Sequence, residues 1–438
     1  MKKIVFLLPV LFIISCEQKN TSVSGNEKLN LLAQKYVRLG LAIGQYDNAF
    51  VDAYYGPDSL QPKTPKAGVF PKDSFLTSVD HLLADMKTYI GEEKNDTLIT
   101  RAKWMSAQLV AYSRRIKIFS GEYASFDEES KELFGVVAPT HPETYFKTLV
   151  AKLDSVLPGK GDIPTRFQTL ANRFIIPKNK LDTVFKAAIA ECRKRTLVHY
   201  QQPANENFKL EYVTNKPWSG YNWYKGNYQS VIQINTDLQI FIDRAIDVGS
   251  HESYPGHHVY NMLLEKNLYA GNGWIEISMY PLFSPQSLIA EGSANYGIEV
   301  AFPGIEKNKF TKEILLPLAG LDTANIDLYF KALALKGELN YVRNEVARGL
   351  LNNTMTETEA TRWLMDYGLN NKETALKSIS FIRVNRSYVI NYNYGKDLVK
   401  NDIESKGGTE TNLTKRWELF GTLLSNEITP MDLLPVHK

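Results

Sequence analysis

The chain is poor in cysteine, with two in 438 residues, Cys16 and Cys192. So few cysteines exclude a disulfide framework as the source of stability and leave a large apolar core to supply it. Charge of one sign is also lacking. Fifty-one Lys and Arg against 48 Asp and Glu leave a net +3. That balance excludes the strongly basic or acidic surface of a nucleic-acid binder or an acidic partner's receptor. No basic run is interleaved with aromatics. There is no internal repeat and no low-complexity segment, which argues against a repeat architecture. Beyond the first twenty residues no run is apolar enough to cross a bilayer. What remains is ordinary for a globular body: 44% hydrophobic and 23% charged residues.

The first twenty residues have a layout of their own. "MKK" is a charged start, "IVFLLPVLFII" a short apolar stretch, and "IISC" places a small residue before Cys16. This resembles a bacterial lipoprotein signal over residues 1–15, cleaved before Cys16, which then carries lipid. The rival reading is a plain secretory signal with Cys16 near its end. Residues 16–28, through "EQKNTSVSGNEK", read as a polar tether, and residues 29–438 as one large domain. The expected location is the cell envelope, on the periplasmic side or at the surface, with the membrane met through the lipid. If Cys16 is acylated, Cys192 has no partner; "AAIAECRKRTLVHY" makes it a helix residue without a chemical role.

Helical periodicity dominates the body. "KLNLLAQKYVRLGLAIG", "SFLTSVDHLLADMKTYI", "TRAKWMSAQLVAYSRRIKIF", "ETYFKTLVAKLDSVL" and "KLDTVFKAAIAECRKRTLVHY" repeat apolar residues at three-and-four spacing. So do "NIDLYFKALALKGELNYVRNEVARGLL", "TETEATRWLMDYGL" and "TKRWELFGTLLS" near the C-terminus. Only the middle alternates. "FKLEYVT" (208–214) and "YQSVIQINT" (228–236) predict strands, joined by the aromatic, turn-rich "NKPWSGYNWYKGN". The expected fold is therefore mainly α: a large multi-helical body with a small antiparallel β element beside the histidine segment.

Three of the seven histidines fall within "HESYPGHH", residues 251–258. His251 and Glu252 begin like the HExxH helix, in which histidines four apart share one face and one zinc. Here the next histidines come six and seven residues on, at 257 and 258. On an unbroken helix the sixth residue is rotated by about 600°, and the seventh lies about 10.5 Å along the axis. A regular helix cannot bring either to the metal. Pro255 would clash with the carbonyl of His251, and Gly256 admits unusual backbone, so a bulge holding two extra residues is expected. His257 would then take the second histidine's place, with His258 an alternative ligand or a support behind it. "SPQSLIAEGSANYGIEVAF" supplies a third ligand in Glu291, on a helix capped by Ser284 or Ser287, with Glu299 as the alternative.

With these residues in view, the chain resembles the bacterial family known as domain of unknown function 885. The resemblance rests on "HESYPGHH" and "EGSANYGIE", with support from "VDAYYGP" (51–57), "KPWSGYNWYKGNYQSVIQINTD" (216–237) and "NYNYGKD" (391–397). It covers nearly all of the chain after the signal. Through likeness to helical zinc peptidases of the glutamate-zincin type, it implies one Zn²⁺ per chain. His251, His257 and Glu291 would be the ligands and Glu252 the general base. Ser293 stands where many members have Trp, and Ile298 where many have a second glutamate, which weakens Glu299 more than Glu291.

The implied reaction is hydrolysis of a peptide bond by a metalloprotease. Tyr392, which matches the familial tyrosine three residues before Gly395, would face the oxyanion, with Tyr388 as runner-up. Arg383 or Arg386 would bind a substrate carboxylate through the guanidinium fork. Tyr228, Ser230 and Ile232 would pair with an extended peptide by strand addition. The segment "YNWYKGN" reads either as a cleft wall or as an aromatic turn packed on the body. Two other readings stand beside the peptidase: a zinc amidase or esterase on a small substrate, and a non-catalytic surface-binding lipoprotein. No protein partner is inferable.

Overall fold

The computed structural model describes residues 25–66, 68–216 and 218–435. Cys16, the signal and most of the tether lie outside them. The tether's last four residues are not extended: Gly25 opens the first helix.

Seven helices build the N-terminal part: α1 (Gly25–Gly44), α2 (Lys72–Glu92), α3 (Asp96–Phe119), α4 (Phe126–Phe134), α5 (Glu143–Val156), α6 (Ile163–Ala171) and α7 (Leu181–Leu197). Their starts follow the usual chemistry. Asn95, Ser125 and Asp162 each accept a backbone N–H of the first turn. The centre holds α8 (Ile242–Glu252), α9 (His257–Leu264) and α10 (Pro285–Ala301). The C-terminal part follows with α11 (Glu306–Phe310), α12 (Leu316–Ala319), α13 (Ile326–Glu338), α14 (Val342–Leu351), α15 (Glu357–Asp366), α16 (Lys372–Asn385), α17 (Ile390–Ser405) and α18 (Leu413–Leu424). The fold is mainly α, as the periodicity predicts. The long segment 325–351 is two helices, because the chain tightens through Leu339–Tyr341 between α13 and α14.

Buried apolar side chains from Leu29 to Leu433 form one continuous core. Ion pairs pin it from within. Arg101 and Glu276 are fully buried and joined by two hydrogen bonds of 2.6 and 2.8 Å. Among the described residues, no helix is long and apolar enough to cross a membrane.

The β structure is small but differs from expectation. Strands β2 (Asn207–Val213), β3 (Gly220–Tyr224) and β4 (Gln229–Asn235) form a sheet in the order β2–β4–β3. The β3–β4 pair is antiparallel, whereas β2 runs parallel to β4, so the sheet is mixed. β3 lies inside the segment read as a turn; its Tyr and Trp residues favour a strand once β4 is there to pair with. β1 (Val51–Tyr54) and β5 (Met279–Pro281) make a separate antiparallel pair.

Candidate metal centre

α8 carries His251 and Glu252 in its last turn and stops there. Ser253 leaves helical angles, the Tyr254–Pro255 peptide is cis, and α9 starts at His257. The expected bulge within one helix is thus a full break between two. The Gly256 N–H donates to the Ser250 carbonyl at 3.2 Å, folding the excursion back onto α8. Gly256 has φ −79° and ψ −139°, outside the usual helical and extended regions, and it also needs space. A Cβ there would stand 1.9 Å from the His251 carbonyl oxygen.

The break turns the two imidazoles toward each other, ring centres 4.6 Å apart and planes nearly perpendicular. α10, capped by the Ser284 hydroxyl, brings Glu291 to them. Glu291 Oε2 lies 3.3 Å from His251 Nε2 and 3.9 Å from His257 Nε2. One ligand atom from each residue lies within 4.8 Å of the others, an arrangement able to hold a metal ion. Tetrahedral zinc bonds of about 2.0–2.1 Å separate neighbouring ligand atoms by about 3.4 Å. Among the described residues, buried Glu291 Oε2 has only the two imidazoles for polar neighbours and no hydrogen bond of regular geometry. Such a carboxylate oxygen is costly unless a cation completes it. The donor set and its geometry fit.

The surroundings aim these groups. Asn295 Nδ2 donates to the Tyr392 carbonyl at 3.1 Å, which leaves Asn295 Oδ1 to face His251 Nδ1, also at 3.1 Å. An acceptor there assigns the proton to Nδ1 and leaves Nε2 with its lone pair toward Glu291. Tyr388 donates its hydroxyl to Glu291 Oε1 at 3.0 Å. α10 lies so close to α17 that a Cβ on Gly292 would stand 2.4 Å from the Gly395 carbonyl carbon. Gly292 of "EGSANYG" and Gly395 of "NYNYGKD" are where these two helices touch.

Burial lowers the His257 imidazole to about 4, helped by the neighbouring His251, and so keeps it neutral. Burial also pulls His251 down, but the Glu291 and Glu252 carboxylates outweigh it and raise it. Burial lifts Glu252 to about 7; His251 opposes this and Glu291 adds to it. Asn222 donates to the Glu252 carbonyl at 2.6 Å. Gly220 clears the way for the Glu252 side chain, since a Cβ there would meet Oε1 at 3.1 Å and Val248 at 2.4 Å. The "YNWYKGN" segment therefore lines the cleft. Tyr221 donates to Asp52, joining it to "VDAYYGP".

Several expected site residues stand elsewhere. Both ring nitrogens of His258 are taken, Nε2 by Glu206 and Nδ1 by Ser230, each at 2.8 Å. His258 is fully buried and cannot be the alternative ligand. Glu299 pairs with Lys396 and Lys400, away from the cluster. Tyr228, Ser230 and Ile232 cannot receive a peptide strand, because β4 is the central strand of its sheet. Ser230 and Ile232 are buried, and the Tyr228 N–H is held by Glu265 at 3.2 Å. Arg386 is locked to buried Glu129 by bonds of 2.6 and 2.7 Å, and Arg383 pairs with Glu357 at the surface. Tyr392 lines the cavity together with Tyr388. Asn295, Glu206 and Asn222 had no signal of their own in the sequence.

No family model and no curated protein matches the chain. Solved structures do. A Colwellia psychrerythraea protein, described as a putative lipoprotein, aligns with a TM-score of 0.53 at 15% identity, over 83% of this chain and 68% of its own. That likeness is one of fold. Metallocarboxypeptidase 1 of Trypanosoma cruzi aligns with a TM-score of 0.48 at 11% identity, over 94% of each chain. An M32 carboxypeptidase from Deinococcus radiodurans gives 0.42 at 10% identity, over 93% of this chain and 94% of its own.

Proposed function

We propose that this chain is a zinc-dependent hydrolase of the bacterial cell envelope, and specifically a peptidase. One observation carries the reading. Two imidazole nitrogens and a carboxylate oxygen without a regular hydrogen bond converge beside buried Glu252, on the wall of a cavity of about 2170 Å³. Sites for small molecules span roughly 300–1,000 Å³, so the size favours a peptide over a small amide or ester. A binding protein would have no need of a base next to a metal ligand.

His251, His257 and Glu291 would hold one Zn²⁺ per chain. A zinc ion bound there would polarise the substrate carbonyl and lower the pKa of water toward about 7. Glu252 takes the proton from the attacking water as the C–O bond forms, and delivers it to the amine as the C–N bond breaks. Asn295 and Tyr388 position His251 and Glu291. Tyr392 is the proposed donor to the developing oxyanion. Residues 1–15 would direct export, lipid on Cys16 would tether the chain, and residues 29–438 would be the catalytic domain.

The test is digestion of a peptide library, read by mass spectrometry. The expected result is cleavage that a chelator abolishes and zinc restores. Intact peptides throughout, or cleavage indifferent to the chelator, would overturn the proposal.

A further inference from the structure

Among the described residues, several buried or partly buried arginines have acidic partners, although Arg416 also keeps one unpaired nitrogen, Nη1. Arg101 has Glu276, Arg386 has Glu129, Arg348 has Glu345 and Asp127, and Arg416 has Glu404. Arg343, in the first turn of α14, is partly buried and differs from these. Its Nε is buried without an acceptor, and among the described residues its guanidinium has neither an ion pair nor a hydrogen bond. The ring of Phe381 lies 5.2 Å from the guanidinium carbon, and Tyr392 lines the same cavity within electrostatic reach. Burial pushes the guanidinium below its ordinary range.

A charged group partly withdrawn from water, with its Nε buried and unpaired, is costly to keep without an anion to meet it. Position suggests a use. Arg343 lines the same cavity as His251, His257, Glu291 and Glu252. Tyr392 lies on the same wall, its ring 5.7 Å from that of Tyr388, which in turn bonds Glu291. The cationic group and the metal cluster thus face one space across two tyrosines. A guanidinium matches a carboxylate in a planar, two-bond fork.

We propose that Arg343 receives a carboxylate of the substrate. Resting on the hydrolase reading, this makes the substrate a peptide with an anionic group near the scissile bond. The carboxylate has two sources, the free end of a peptide or an acidic side chain. The role foreseen for Arg383 or Arg386 passes to Arg343.

The test measures binding by titration calorimetry on the full chain as purified. Two matched pairs separate the sources: N-acetylleucine against N-acetylleucinamide, and N-acetylaspartic acid amide against N-acetylasparagine amide. The wild type is expected to prefer the acid in at least one pair by about 10- to 100-fold, as a charge-assisted hydrogen bond allows. Arg343→Met should bring that ratio close to one, and Arg343→Lys should keep part of it. The pair that responds names the source. No preference in the wild type, or the same preference in Arg343→Met, overturns the inference; the second result would mean the metal alone holds the carboxylate. The melting temperature of Arg343→Met should not fall, because no partner is orphaned. If that variant does not fold, Arg343→Gln serves the same comparison. Binding is read without turnover, so the outcomes separate. Acid preference without hydrolysis sinks the hydrolase reading alone, and hydrolysis without acid preference sinks this one alone.

Discussion

His257 and His258 are adjacent in sequence and opposite in circumstance. His257 presents Nε2 to a carboxylate oxygen without a regular hydrogen bond, at the edge of a cavity. His258 points into the protein, where Glu206 and Ser230 take both of its nitrogens. The two arginines repeat the contrast: Arg386 is held by Glu129, while Arg343 has no ion pair or hydrogen bond among the described residues. Saturated polar groups hold the fold. Incomplete groups that also line the cavity, Glu291 and Arg343, point to what is bound.

Four substitutions would sharpen or break this distinction. Glu252→Gln should reduce hydrolysis by about 10²- to 10⁴-fold while metal content stays at the wild-type level; a kinetic assay paired with elemental analysis decides it. Arg386→Met should cost about 3–5 kcal/mol, because Glu129 is left charged and buried. Denaturant unfolding would show it, and a loss below about 1 kcal/mol would deny Arg386 a structural role. His258→Ala should lower stability by about 1–3 kcal/mol through the loss of partners for Glu206 and Ser230, with metal retained. Asn295→Leu should weaken zinc affinity by about 10- to 100-fold, since His251 loses the contact that sets its proton; competition with a chromophoric chelator measures it.

The contrast also explains what was legible in the sequence. Helix periodicity is local, and it located α1–α3, α5, α7, α13–α15 and α18. The histidine cluster and Glu291 were visible as residue types at an unusual spacing. Which histidine faces the cluster was not visible, because the answer depends on Glu206 and Ser230, distant in sequence. The centrality of β4 was hidden for a related reason. β2 pairs with it in parallel and β3 across a turn, and no local pattern reports that order. β3 itself was masked by the Gly, Asn and Pro around its aromatic residues. Arg343 had no signal at all, since the lack of a partner is a property of the folded state. Gly256 was legible through its unusual backbone; the space it leaves beside the His251 carbonyl was not.

The most direct measurement is zinc per chain in the wild type, His257→Ala and His258→Ala, with folding checked by circular dichroism. The account predicts about one zinc in the wild type, none held stably by folded His257→Ala, and about one in folded His258→Ala. Full zinc in His257→Ala with loss in His258→Ala would contradict it.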